Sequence, residues 1–135
     1  MKSAVVYGAV LACMVMLDLL WLRVIAVQWY IDGMGALLTN SPNLAAAAAF
    51  YCLYPLGIVI FAVAPSQHSS VLKVAAMGAL FGFFAYATYD LTALAVIKNW
   101  PVVLTFVDLA WGVVVSGLSA AAGKLAMDVF RTSRA

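Results

Sequence analysis

Four long apolar runs, separated by short polar breaks, constrain this chain more than any other feature. They fall at about residues 4–27, 44–64, 71–97 and 101–127. An α-helix needs about 20 consecutive apolar residues to cross the hydrocarbon of a bilayer, and each run meets that length. Inside lipid a backbone must satisfy its own polar groups, which favours helices for such runs. The expected architecture is therefore an all-α membrane protein, one integral domain over 1–135 built as a four-transmembrane-helix bundle. Ser41-Pro42-Asn43 opens the second run and Pro65 closes it. Pro42 and Pro101 stand near helix starts, where proline is favoured. The stretch from Gln28 to Asn40 is amphipathic and contains glycine, so it predicts a short interfacial helix or re-entrant loop.

The first run is too long for the 7–15-residue core of a signal peptide. It also carries Asp18 and Trp21, with no Ala-x-Ala site after it, and reads as a retained span. Composition agrees: 67% of residues are hydrophobic and 9% charged, whereas soluble domains carry roughly a quarter charged residues. The net charge of +2 comes without a basic block, which argues against nucleic-acid binding. Cys13 and Cys52 lie inside apolar runs and are expected to be buried thiols. His68 sits in a polar loop with no second His or Cys at ligand spacing, so no metal site is expected. No Ser–His pair or Gly-rich phosphate loop is present, and no cofactor is expected.

Lys2, Lys73, Lys124, Arg131 and Arg134 fall at one set of span ends, Arg23 and Lys98 at the other. The positive-inside rule then places both termini of this inner-membrane chain in the cytoplasm. Trp29, Tyr30 and Trp100 fall at the opposite, outer boundary, where amphipathic rings settle.

Three acids lie within the spans: Asp18, Asp90 and Asp108. A carboxylate in hydrocarbon is costly, at least ~2.5 kcal/mol on insertion scales, and such residues usually face the bundle interior and mark function. Counting at 1.5 Å per residue from the outer span ends puts all three roughly 10–14 Å deep. Tyr51 and Tyr54 of the second span fall at a similar depth, and Tyr86 shares a helix face with Asp90, with Tyr89 adjacent. Thr105, Asp108 and Gly112 line one face of the fourth span. Trp21 and Trp111 each follow an aspartate by three residues, so each is expected beside the carboxylate of its own helix. The candidate binding or proton-relay residues are these: Asp18, Asp90, Asp108, Tyr51, Tyr54, Tyr86, Tyr89, Trp21, Trp111 and Thr105. Gly78 and Gly82, with a ridge of Gly112, Ser116, Ser119 and Gly123, predict close helix packing within the bundle or in a dimer. Leu17-Asp18-Leu19-Leu20-Trp21 echoes Val107-Asp108-Leu109-Ala110-Trp111 on a span running the other way.

Several of these segments together resemble a known family. They are Asp18-Leu19-Leu20-Trp21-Leu22, Phe50-Tyr51-Cys52-Leu53-Tyr54-Pro55, Tyr86-Ala87-Thr88-Tyr89-Asp90-Leu91-Thr92, Trp100-Pro101 and Val107-Asp108-Leu109-Ala110-Trp111-Gly112. The pattern is similar to DUF2177, a family of uncharacterised bacterial membrane proteins, over nearly the whole chain. The family's usual Asn after Tyr-Asp-Leu-Thr is Ala93 here. The resemblance implies four spans and supplies no activity. Three functions remain from the residues. The first is transport or binding of a small molecule, coupled to protons, for which a homodimer is expected because four helices enclose a narrow path. The second is a membrane-embedded enzyme acting on a lipid or isoprenoid. The third is an accessory subunit without a site.

Overall fold

The computed structural model of the chain describes residues 2–133, and Arg134 of the charge pattern lies outside them. Helix α1 (Lys2–Leu20) runs on through a wider π-helical turn, Trp21–Ile25, where the Ala26 N–H reaches the Trp21 carbonyl at 2.7 Å. A short helix α2 (Val27–Met34) follows directly and ends at Gly35, whose φ of 44° suits a residue without a side chain. Helix α3 (Leu44–Ile58) starts on Asn43, whose side chain accepts the Ala46 N–H at 3.0 Å. It passes through Pro55 and, like α1, ends in a π-helical turn, Val59–Val63. Ser70 caps α4 (Val71–Val96) by accepting the Lys73 N–H at 3.2 Å. Asn99, at φ 60°, turns the chain into α5 (Val102–Thr132). Asparagine tolerates that left-handed conformation better than most residues. The last helix runs past residue 127, where the apolar pattern fades.

Among the described residues, four helices are long and apolar enough to cross a membrane: Lys2–Ile25, Leu44–Val63, Val71–Val96 and Val102–Thr132. Their outer surfaces confirm the solvent they are made for. Leu44, Leu72, Val96 and Val103 are each at least three-quarters exposed, while Asp18, Asp90, Asp108, Ser116 and Ser119 are buried. A water-soluble fold has the opposite arrangement, because apolar side chains are its usual interior.

Helix α5 is the central post. Half of its apolar window is buried, against 22, 22 and 17% for the other spans. It packs most extensively on α4 and next on α1. The α4–α5 seam is built from the small residues of the two ridges. A side chain at Gly78 would meet Ala120 and the Ser116 backbone, one at Gly82 would meet Gly112 and Ser116, and one at Gly112 would meet the Tyr86 ring. The ridges thus serve packing inside one chain. At the far end of the bundle from α2, Val6, Val10, Ile58, Val63, Val74 and Ala120 form an apolar core. There Lys124 bridges Asp128 at 2.6 Å and donates to the Gln67 carbonyl at 3.0 Å, tying α5 to the α3–α4 loop.

Helix α3 is held less evenly. It lies on α1 and α5, and reaches α4 chiefly through its last turn, Val59–Val63. Residues Leu44–Phe50 are exposed throughout. The first half of α3 therefore stands away from α4, and a cleft opens between them near the α2 end. Cys52 is exposed on this helix, which corrects the expectation of a buried thiol; Cys13 is half-buried and both thiols are free.

Candidate functional site

The cleft holds a cavity of about 600 Å³, within the ~300–1,000 Å³ range of small-molecule sites. Every long helix contributes to it: Asp18 from α1, Tyr51 and Tyr54 from α3, Tyr86 and Tyr89 from α4, and Asp108 and Trp111 from α5. Tyr30 of α2 closes one side. The buried floor is acidic and aromatic, and the rim, with Leu22, Ala47, Phe50 and Tyr89, is exposed.

Both floor carboxylates are held by donors from other helices. Asp18 accepts from the Tyr51 hydroxyl at 2.9 Å and from the Trp111 indole N–H at 3.0 Å. Asp108 accepts from the Tyr30 hydroxyl at 2.5 Å. Tyr30 in turn accepts from the Trp21 N–H at 3.4 Å. The Tyr54 hydroxyl and Ser116 Oγ share a hydrogen bond of 2.8 Å. Trp21 and Trp111 stack face to face, centroids 4.4 Å apart and planes within 1°. The two Asp-x-x-Trp segments thus meet across the α1–α5 seam and exchange partners. Trp111 serves Asp18, and Trp21 serves Asp108 through Tyr30.

That crossing corrects one expectation. Neither tryptophan bonds the aspartate of its own helix, because the indole N–H reaches outward from the helix to a neighbour. Tyr30 was expected in a belt at the membrane boundary, but it turns inward and completes the site. The signal that points to it is the amphipathic pattern of 27–34, whose apolar face must cover something. Helix α2 lies outside the four spans. Burial, then the bond to Asp108, holds the Tyr30 hydroxyl above its ordinary titration range, so it remains a donor at any ordinary pH.

Three candidate residues do not line the cavity: Trp21 stands behind it, stacked on Trp111, and Asp90 and Thr105 lie elsewhere. Asp90 is only 1% exposed and does not line the cavity; its Oδ2 has no hydrogen-bond partner among the described residues. Thr105 is buried at the start of α5, where it accepts from the Trp100 N–H at 3.1 Å and donates to the Pro101 carbonyl at 2.9 Å. It closes the first turn of α5. Leu22, Ala47, Phe50 and Ala85 complete the cavity and carry no sequence signal beyond being apolar.

The family model of DUF2177, described as a predicted membrane protein, matches residues 3–125. The chain belongs to that family. The match spans all of α1 to α4 except Lys2, and α5 as far as the Lys124 bridge, so this DUF2177 protein contributes every cavity residue from within the matched region. No curated protein and no solved structure matches it.

Replacing Tyr30 by phenylalanine tests whether α2 is anchored through the site. Tyr30→Phe leaves Asp108 and the Trp21 N–H without their shared partner and should cost ~1–2 kcal/mol of stability. Hydrogen exchange should quicken over Val27–Met34 while α4 stays protected. Unchanged exchange there would mean that the hydroxyl does not hold α2.

Proposed function

We infer that this DUF2177 protein binds a small molecule within the membrane and carries it, with proton exchange at Asp18 and Asp108 as the coupling step. One observation carries the reading: two buried carboxylates from antiparallel helices line one cavity of ligand size, and no Lys, Arg or His among the described residues lines it with them. A buried carboxylate needs a proton or a positive partner, and intramembrane acids of this kind serve as relays. A site that alternates between the two couples ligand to proton. A homodimer belongs to this reading, since one four-helix chain leaves little room for a path across.

The test is purification in nanodiscs followed by reconstitution. A small organic species should co-purify with the wild-type protein and be lost from Ala85→Phe, which fills the cavity. Proteoliposomes should then dissipate a proton gradient when supplied with that species, and Asp108→Asn should not. Co-purification of nothing, with proton rates equal to empty liposomes, would sink the reading.

A second reading rests on the unlike surroundings of the two acids, with two donors on Asp18 and one on Asp108. Such a pair suits acid and base roles in an enzyme acting on a lipid or isoprenoid. Loss of a lipid product on deletion, rescued by wild type but not Asp108→Asn, would favour it.

The charge pattern supports an inner-membrane orientation with both termini cytoplasmic. In a chain with Cys13 and Cys52 replaced by alanine, Asn40→Cys should react with an impermeant maleimide on intact cells. His68→Cys should react only after permeabilisation. The reverse pattern would invert the topology.

A further inference from the structure

We propose that the ligand is an amphiphile with a positively charged, ammonium-type head, and that it enters the cavity sideways from the lipid through the gap between α3 and α4. The proposal rests on the binding reading above and names its ligand class.

The lining chemistry selects the charge. Asp18 and Asp108 are 5 and 6% exposed, so an ion placed between them gives up water and gains two carboxylates. The remaining walls are mostly aromatic, with Tyr51, Tyr54, Tyr86 and Trp111 around the floor. Aromatic faces attract cations, and more strongly where water is excluded. Acids set among aromatic rings suit an alkylated ammonium, which offers charge and apolar surface together. An anionic head would meet two carboxylates and no cation.

The route follows from what closes the other sides. The end of the cavity next to α2 is covered by Tyr30, bonded to Asp108, and the Trp21–Trp111 stack stands behind it. The opposite end is filled by the apolar core around Val10, Ile58 and Val63. Between α1 and α5 the Trp111–Asp18 bond closes the wall, and between α1 and α3 the Tyr51–Asp18 bond does. The side between α3 and α4 is different. Its rim is Ala47 and Phe50 on one helix and Ala85 and Tyr89 on the other, with Phe50 38% and Tyr89 46% exposed on an apolar surface. A molecule arriving there comes from lipid. Its head can reach the acids while its chain stays in the bilayer.

The experiment uses the full chain in nanodiscs of a galactolipid, which carries neither amine nor charge. Three probes share one chain and differ in the head: dodecyltrimethylammonium, dodecanol and dodecyl sulfate. Binding is read as a saturable change in tryptophan fluorescence above that of empty nanodiscs. The ammonium probe should bind at least tenfold more tightly than dodecanol, and the sulfate should not saturate. Asp18→Asn/Asp108→Asn should lose at least tenfold for the ammonium probe, and with it the preference for ammonium over dodecanol. Ala85→Phe should block all saturable binding. Repeating the titration with phosphatidylethanolamine in the disc separates the sources. Competition assigns the head group to membrane lipid, and its absence assigns it to a free lipophilic amine.

Equal affinities for the ammonium and dodecanol probes, or preference for the sulfate, would overturn the cationic class while leaving a cavity that binds. So would undiminished ammonium binding by a folded double variant. Saturable binding that survives Ala85→Phe would overturn the route. If none of the three probes binds, both the class and the binding reading fall.

Discussion

Gly82→Ala should destabilise the bundle by ~3 kcal/mol or more, at the top of the usual cost of overpacking. The added carbon would fall on the Gly112 carbonyl oxygen and on the Ser116 side chain, 2.6 Å from its Cβ. Neither neighbour can yield. One is backbone in the middle of α5, and the other is fully buried and bonded to Tyr54. The helices must then part along the largest interface in the protein. In lipid that loss has no hydrophobic compensation, because close packing is itself what holds membrane helices together. Unfolding in mixed micelles, followed by circular dichroism, measures the effect. Gly8→Ala is the matched control, since its Cβ would meet nothing within 4 Å. It should be neutral or stabilising by up to ~1 kcal/mol, from helix propensity alone. Equal unfolding of the two variants would refute the account of the seam.

The second large effect separates shape from charge at Asp18. Asp18→Leu leaves the Tyr51 hydroxyl and the Trp111 N–H without an acceptor, and each orphaned group costs ~1–3 kcal/mol. Asp18→Asn keeps an oxygen for Trp111 and offers an amide N–H to the Tyr51 oxygen, so it should lose less than ~1 kcal/mol. The difference between the two variants, measured by the same unfolding, reports the hydrogen bonds. The Asn variant then shows what the charge does for binding. Similar losses in both would mean that the two donors find other partners and that Asp18 does not knit α1 to α3 and α5.

The parts of this molecule that follow from counting along the chain were legible in its sequence. Span number follows from run length, and the start of the second span follows from Ser41-Pro42-Asn43. Depth follows from helical rise, and Asp18 and Asp108 do meet in one cavity. Rotation about the helix axis was not legible. Asp90 shares the depth of the other acids by residue count, yet it does not line the cavity. Trp21 and Trp111 are three residues from an aspartate, but each serves the other helix. Such pairings depend on which helix packs where, and α5 lies at the centre only because its small residues admit α4 so closely. The inward turn of Tyr30 was hidden for a further reason. Its short helix follows a π-helical turn that no residue type announces.

Those two wide turns have a consequence for chain length. A helix that loses a residue in an ordinary stretch rotates everything beyond it by about 100°. Deletion of Leu19 or Leu20 would swing Tyr30 off Asp108. Within Trp21–Ile25 the hydrogen-bonded loop already holds one residue more than an α-turn needs. Removing one there closes a normal turn and leaves the faces on either side where they were, and the same holds for Val59–Val63. Deletion of a single residue is therefore survivable at two points in these spans, one beside the cavity and one at the far end, and disruptive elsewhere along the same helices.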